Sequence, residues 1–491
     1  MEPKMNLTLS RRNFLRNTAV VAGALTAFPA AGFGRSSAPS RTLRLAIIGV
    51  RGKGAHHIEI FQKIEGVRIV ALCDADRDVL GRELQKLEKN NLKADGLIDL
   101  RRVLDRKDVD AVVTATPNHW HSLVTVWACQ AGKDVYVEKP VSHNVWEGHK
   151  AVEAARKYKR IVQTGTQSRT DPALREAFAY LKAGHLGPIR LVRGFCYKRR
   201  ASIGRVPGPQ RIPAQVDFDL WTGPAPLAPL TRKNLHYDWH WVWPTGNGDI
   251  GNQGVHEMDM CRWAIGQSTL PPRIMSVGGR FGYVDDAETP NTQIAFYDYQ
   301  PVPILFEVRG LPMAKGEEGE AMDNYKGVSI GLVVECENGY FAGGAGGGWI
   351  FDKSGKRLKQ FTGPGGRDHQ ENFIRAVRSR KISDLNADIL EGHLSSALCH
   401  LGNIAFRLGQ RTKLVEIRES LKANPVTAES LDRFESHLRA NEVDPVLDLP
   451  TLGPALTFDP LAERFTGDWS PEANLLLKRD YREPFVIREK V

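Results

Sequence analysis

In the first third of the chain the apolar positions fall in short continuous runs rather than in alternation. Leu43 to Ile48, interrupted only by Arg44, is followed by Val67 to Cys73, Val109 to Thr116, Asp134 to Glu138 and Arg160 to Gly165. Runs of this length, with helix-sized stretches between them, read as buried strands, and strand–helix alternation implies a doubly wound parallel sheet covered on both faces. From Ile189 onward the pattern changes. Ile189 to Tyr197, Arg273 to Arg280, Thr292 to Tyr299, Ile304 to Arg309 and Val328 to Glu335 are β-rich runs separated by loops. They predict an α+β domain with a large, open, mostly antiparallel sheet. Helical periodicity returns at His369 to Val377 and at Glu391 to Leu408.

The 491 residues, 42% hydrophobic, are enough for two cores. The expected organisation is a first domain over 41–167, a second over 168–424 and a C-terminal extension over 425–491. Ser10-Arg11-Arg12-Asn13-Phe14-Leu15, followed by a small-residue apolar run from Ala19 to Ala31, reads as a twin-arginine export signal over residues 1–34. The expected location is therefore the periplasm. No other stretch has the roughly 18–20 apolar residues of a membrane span, so no stable membrane insertion is expected beyond the signal. Lys4, Arg11, Arg12 and Arg16 against Glu2 account for three units of the formal +10, leaving +7 without the signal. No basic run with interleaved aromatics accompanies that charge, which excludes nucleic acid as the expected partner. The six cysteines carry no C-x-x-C pair or metal-ligand spacing and read as core thiols, and no metal is expected.

Chemistry enters where the strands end. The first run leads directly into Gly49-Val50-Arg51-Gly52-Lys53-Gly54, spaced G-x-x-G-x-G, and then a helical segment. Glycines there let the backbone turn sharply against a pyrophosphate, while the free amides of the helix supply donors. The second run ends on Asp74, twenty residues after Gly54, where an acid accepts hydrogen bonds from ribose hydroxyls and repels a 2′-phosphate. NAD is therefore favoured over NADP, with Arg51 or Arg77 as the groups able to reverse that choice. The domain reads as a Rossmann-type dinucleotide binder.

Later strand ends carry Thr116-Pro117-Asn118-His119-Trp120-His121, then Glu138-Lys139-Pro140, then Gln167. The Thr-Pro-Asn-x-x-His segment followed by Glu-Lys-Pro resembles the Gfo/Idh/MocA oxidoreductases, over roughly residues 42–415. The resemblance implies that Lys139 lies beside nicotinamide and substrate hydroxyl, that Pro140 follows a cis peptide bond, and that the cofactor touches Gly49, Arg51, Gly52, Gly54, Asp74, Thr116, Pro117, Asn118, His121, Glu138, Lys139 and Gln167. The segment Gly246 to Asp259 resembles the family's Asp-x-Gly-x-His loop. His256 is then the histidine that exchanges the hydroxyl proton, as an unperturbed pKa of about 6.5 permits. The family's aspartate is Asn252 here, and an amide orients a group but takes no proton. Asp249 or Asp259 are candidates to orient His256. Asp259, three residues on along the helix, is equally placed to pair with Arg262.

Asn234 to Trp243 concentrates three tryptophans, Tyr237 and two histidines. His236, Tyr237, Trp239, His240 and Trp241, with Lys139, Asn252 and His256, are the expected substrate contacts, since aromatic faces with polar neighbours suit a sugar ring. An aromatic core segment is the other reading. The alternate tryptophans favour an extended run, which argues against His236 and His240 sharing a metal.

These features imply hydride transfer between a sugar or polyol and a retained nicotinamide cofactor. A redox-cycling glycosidase or lyase, and a non-catalytic sugar-binding protein on the same scaffold, remain open. Self-association is expected through the face of the second sheet turned away from the nicotinamide.

Overall fold

The continuous apolar runs are the strands of one parallel sheet. In the computed structural model, which describes residues 42–317, 321–422 and 424–491, they are β1 (Leu43–Ile48), β2 (Val67–Cys73), β4 (Ala111–Thr114), β5 (Asp134–Val137) and β6 (Val162–Thr164), to which the fold adds a short β3 (Asp95–Leu97) that the apolar pattern did not show. The order is β3-β2-β1-β4-β5-β6, all parallel, with β1 central and buried on both faces. Leu45, Ile47, Val113 and Tyr136 face one apolar layer with Phe61 and Phe373; Ala46, Ile48, Val112 and Val135 face the other with Leu123 and Val124. Arg44, the polar interruption in β1, sits at its outer start and pairs with Asp110. The paired arginines Arg11-Arg12 and the apolar run after them lie outside the described residues.

The second sheet comprises β7 (Ile189–Tyr197), β8 (Arg273–Gly279), β9 (Thr292–Tyr297), β10 (Ile304–Arg309), β11 (Ile330–Cys336), β12 (Gly339–Gly344), β13 (Gly347–Asp352) and β14 (Arg357–Thr362), with short β15 (Gln410–Arg411), β16 (Thr451–Leu452), β17 (Leu456–Asp459) and β18 (Arg464–Thr466) at one edge. Its order runs β14-β13-β12-β11-β7-β10-β9-β8-β16-β15, antiparallel except where β10 pairs β7. The glycine-rich hairpins β12 to β14 were not among the strands read from sequence. Val192, Cys196, Ala295, Phe306 and Leu332 point inward, onto the helices Pro172–Lys182, Gly254–Ile265 and Ile389–Arg407.

The outer face departs from expectation. Leu191 of β7, Val277 of β8, Ile294 of β9 and Leu305 of β10 are covered by the chain's own tail, through Ile417, Leu421, Leu431, Phe434 and Leu438 of the helices Leu414–Leu421 and Pro425–Ala440. Polar pairs fix the cover. Arg193 bonds Ser430 at 2.8 Å and pairs with Glu429, and Arg433 bonds the Tyr197 hydroxyl at 3.0 Å and pairs with Glu307. This face of β7 to β10 is therefore covered by the chain itself. The last residues travel further, so that Phe485, Ile487 and Val491 end in the core of the first domain. The extension expected over 425–491 is thus part of both cores, and Thr42–Val491 form one unit. Among the described residues no helix is long and apolar enough to cross a membrane. All six cysteines are free thiols, five of them buried.

Candidate functional site

A cavity of about 480 Å³ opens at the carboxyl ends of β1, β2, β4 and β5, where ligands of doubly wound sheets bind. The glycine turn forms one end. A Cβ on Gly54 would stand 1.8 Å from the Gly49 carbonyl oxygen, so only glycine permits the turn. Gly52, at φ +54°, caps the helix Lys53–Phe61 without a side-chain hydrogen bond and has open space where a Cβ would be. The helix start therefore presents uncapped amides to the cavity beside Arg51 and Lys53, a fit for a pyrophosphate. Asp74 is tied into the same turn: its carboxylate accepts from the Val50 amide at 2.9 Å and the Asp76 amide at 3.0 Å. Burial pushes the Asp74 carboxyl up, against the pull of those two amides.

At the next strand ends each side chain holds a neighbour. The peptide bond Lys139-Pro140 is cis, as the resemblance implied. His121 meets the Pro140 carbonyl at 2.6 Å and the Thr116 carbonyl at 2.8 Å, joining the two strand-end turns. Glu138 is buried and accepts from His57 at 2.9 Å, from its neighbour's amide at 3.2 Å and from Gln167 at 3.4 Å. Burial raises the Glu138 carboxyl, but the His57 hydrogen bond and the charges of Lys53 and Lys139 outweigh it and hold the group well below the carboxylate range. His57 carries no local motif, and only its contact with Glu138 reveals it.

The second domain closes the cavity. Lys139 reaches across and donates to the backbone carbonyl of Asn252 at 2.8 Å. Burial lowers its pKa, opposed by Glu138 and Glu257. His256, half-buried near the start of the helix Gly254–Ile265, has its pKa lowered to about 3, first by burial and then by the Lys139 charge. It is a neutral imidazole at physiological pH. Asn118 bonds Asn247 at 2.6 Å, linking the domains beside the same wall. His256 also lines a second cavity of about 490 Å³ with Gln167, Gln253, Glu257 and the turn Gly343–Ala345. Glu257 accepts from Gln253 at 3.1 Å, its other oxygen has no partner, and burial pushes it up to about 8.

Of the expected cofactor contacts all but Gly54 line the first cavity, and Gly54 shapes the turn from behind. Of the expected substrate contacts Lys139, His236, Tyr237, Trp239, His240, Asn252 and His256 line it, while Trp241 is buried beneath the Arg200 guanidinium. The aromatic segment is a 3-10 turn over Asp238–Trp241, not the extended run expected. Trp239 and His240 stack at 3.6 Å, and His236 is held by Asp76 at 2.9 Å. Two orienting roles fail. Asp249 gives both oxygens to Arg200, at 2.7 and 2.9 Å. Asp259 is fully buried, 2.9 Å from Arg169 and 2.6 Å from Ser395, with Arg262 at 3.8 Å. Its chemistry is structural, and Arg169, ninety residues away, was invisible to a helix-face argument.

Comparison with known proteins follows the same two halves. Residues 43–166 match the model of an oxidoreductase family with an NAD-binding Rossmann fold, and residues 188–304 match that family's C-terminal alpha/beta domain. A Glycosyl hydrolase family 109 protein from Shewanella sp. (strain ANA-3) is 31% identical over 169 residues, 30% of this chain and 37% of that protein. An inositol 2-dehydrogenase from Salmonella typhimurium is 31% identical over 158 residues, 32% of this chain and 46% of that protein. The chain thus spans less than half the length of these curated relatives. The WlbA dehydrogenase of Bordetella pertussis, solved with NADH and UDP-GlcNAcA, shares the fold at TM-score 0.53 and 19% identity, over 74% of this chain and 95% of that one. An aldose-aldose oxidoreductase from Caulobacter crescentus does so at TM-score 0.52 and 18% identity, over 74% and 98%. With both family domains matched in order and the strand-end motifs assembled around one cavity, the chain belongs to the Gfo/Idh/MocA oxidoreductase family.

Proposed function

We propose that the protein is an NAD-dependent oxidoreductase acting on a hydroxyl of a sugar or polyol, with the cofactor tightly retained. The observation that carries this reading is the meeting of Lys139 and His256, from two domains, on the wall of the cavity that also holds the glycine turn. Bound there, NAD supplies a ring carbon that takes up and returns hydride. The chain's own groups do the rest. Lys139 spends one N–H on the Asn252 carbonyl and keeps two donors for a hydroxyl oxygen. His256, neutral and without a side-chain hydrogen bond among the described residues, has a ring nitrogen open to that hydroxyl's proton. The Asp74 carboxylate at the end of β2 disfavours a 2′-phosphate, which supports NAD over NADP. Trp239, Tyr237 and His240 give the cavity an aromatic wall suited to the C–H face of a sugar. The names of the inositol 2-dehydrogenase and aldose-aldose oxidoreductase relatives point the same way.

The test is reduction of nucleotide on the full-length protein by a panel of hexoses, uronic acids and inositols, read by absorbance in single-turnover mode so that retained cofactor is counted. Reduction by at least one member is expected. No reduction by any, with nucleotide present in the protein, contradicts the reading.

One observation favours a second chemistry. His240 is a further neutral imidazole on the same wall, its pKa lowered to about 3 by burial, available to remove a proton from a carbon made acidic by transient oxidation. With the glycosyl hydrolase relatives this supports an NAD-dependent glycosidase. Release of aglycone without net nucleotide reduction distinguishes it.

The paired arginines Arg11-Arg12 and the apolar run from Ala19 support export by the twin-arginine route. Free nucleotide is scarce outside the cytoplasm, which suits retention. Fractionation of cells expressing the wild type and an Arg11→Lys, Arg12→Lys variant tests this: the wild type is expected in the periplasm and the variant in the cytoplasm, and cytoplasmic wild type overturns it.

A further inference from the structure

Outside both cavities, three segments bring together side chains with no part in the site above. His149 is on the helix Val145–Lys157, His393 on the helix Ile389–Arg407, and Glu463 in the turn between β17 and β18. His149 Nδ1 lies 3.1 Å from Glu463 Oε2, and His393 Nε2 lies 2.9 and 3.1 Å from the two Glu463 oxygens. The rings are nearly perpendicular, with centroids 6.2 Å apart. The three ligand atoms all fall within 4.8 Å of one another, and no other such group of histidines, cysteines and acids occurs among the described residues.

We propose that His149, His393 and Glu463 form a zinc site that clasps the tail hairpin to helices of both domains. Zinc takes imidazole nitrogen and carboxylate oxygen at about 2.0–2.2 Å, and a tetrahedral set at that radius has ligand–ligand edges of about 3.3–3.6 Å. The two histidine–carboxylate separations are already within a few tenths of an ångström of that edge, so the histidine pair, within 4.8 Å, is the one left to adjust. His149 can do this because its side chain is 54% exposed, whereas His393 is 1% exposed and fixed. Gly148 packs on the other ring nitrogen of His393, where a Cβ would stand 2.4 Å away, which holds that ring with Nε2 toward Glu463. The exposed side of His149 leaves an entry path and room for a water as fourth ligand. An imidazole pair with one carboxylate suits zinc better than calcium or magnesium, which take oxygen sets.

The experiment uses the full-length protein stripped with a chelator, then titrated with zinc against a chromophoric competitor and, separately, heated with and without zinc. One zinc per chain with submicromolar affinity is expected, together with a rise in melting temperature on zinc addition. His149→Ala, on an exposed side chain, is expected to fold, to bind at least tenfold more weakly and to lose the zinc-dependent rise. Glu463→Gln is expected to do the same. Wild type that binds no zinc tighter than about 100 μM, or wild type and His149→Ala with equal affinity, overturns the proposal. Circular dichroism of each variant without zinc separates loss of the site from loss of the fold.

Discussion

Two parts of the molecule, the first-domain wall of the cavity and the C-terminal tail, are built in opposite ways. The first-domain wall is local: Gly49, Gly52 and Gly54 form one turn, Thr116 to His121 another, and Glu138-Lys139-Pro140 a third, each at a strand end. The tail from Leu414 to Val491 is held to the rest of the molecule by non-local contacts. Its apolar residues find partners such as Leu191, Val277 and Ile294 more than a hundred positions away, and its end lies in the first-domain core. Local walls are carried by backbone geometry and specify chemistry, whereas the tail is carried by burial and specifies stability.

That contrast is sharpest for Lys139 and His256. Lys139→Met and His256→Ala are each expected to lower the single-turnover rate by about 10²–10⁴-fold while leaving melting temperature close to wild type. A loss of less than tenfold for both would place the chemistry elsewhere. On the tail, Phe434→Ala removes a buried ring packed against Phe281 and is expected to destabilise by about 3–5 kcal/mol with little change in the rate below the melting transition. A rate loss as large as that of Lys139→Met would break the division between the two parts.

Asp259→Ala tests the border case. It takes from the buried Arg169 guanidinium one of its two carboxylates, leaving Glu391 at 2.9 Å, with an expected cost of up to about 3–5 kcal/mol, the range for breaking a buried ion pair. The pH profile of the rate is expected to be unchanged, which a role in orienting His256 would not allow.

Glu257 adds a pH signature. Its carboxyl is raised from an ordinary 4.5 to about 8 by burial, so the folded protein holds a proton there that the unfolded chain has released. Its contribution to stability is present below pH 4.5 and is lost as pH rises toward 8. Glu257→Gln is expected to flatten the stability profile across that window, and an unchanged slope would contradict the assignment. The smallest effect is expected for Asn252→Ala. The group that anchors Lys139 is the Asn252 backbone carbonyl, which alanine retains, so the rate is expected to change less than tenfold.

What the sequence showed and what it concealed follow the same line. The strands β1, β2, β4, β5 and β6 and the ends of β7 and β10 were legible because buried strands leave continuous apolar runs, whereas the three-residue, largely exposed β3 leaves none. The residues expected to contact a cofactor gather at one cavity because they sit in contiguous strand-end motifs. The hairpins β12 to β14 were not, since Gly343, Gly344, Gly347 and Gly348 dilute the strand signal. The alternate tryptophans of 239–243 suggested an extended run, but Trp239 turns to the cavity and Trp241 to the interior from a 3-10 turn. The main partner of Asp259 was not legible, because Arg169 is brought to it by tertiary packing. His149, His393 and Glu463 had no signal at all, since nothing local joins positions separated by 244 and 70 residues.

The most direct measurement of the central claim is to purify the protein expressed with its full N-terminus, denature it and assay the released supernatant for NAD(H) and NADP(H) by mass spectrometry. Near-stoichiometric NAD(H) is the predicted result. No nucleotide released, and none bound on addition, would contradict both the oxidoreductase and the glycosidase readings.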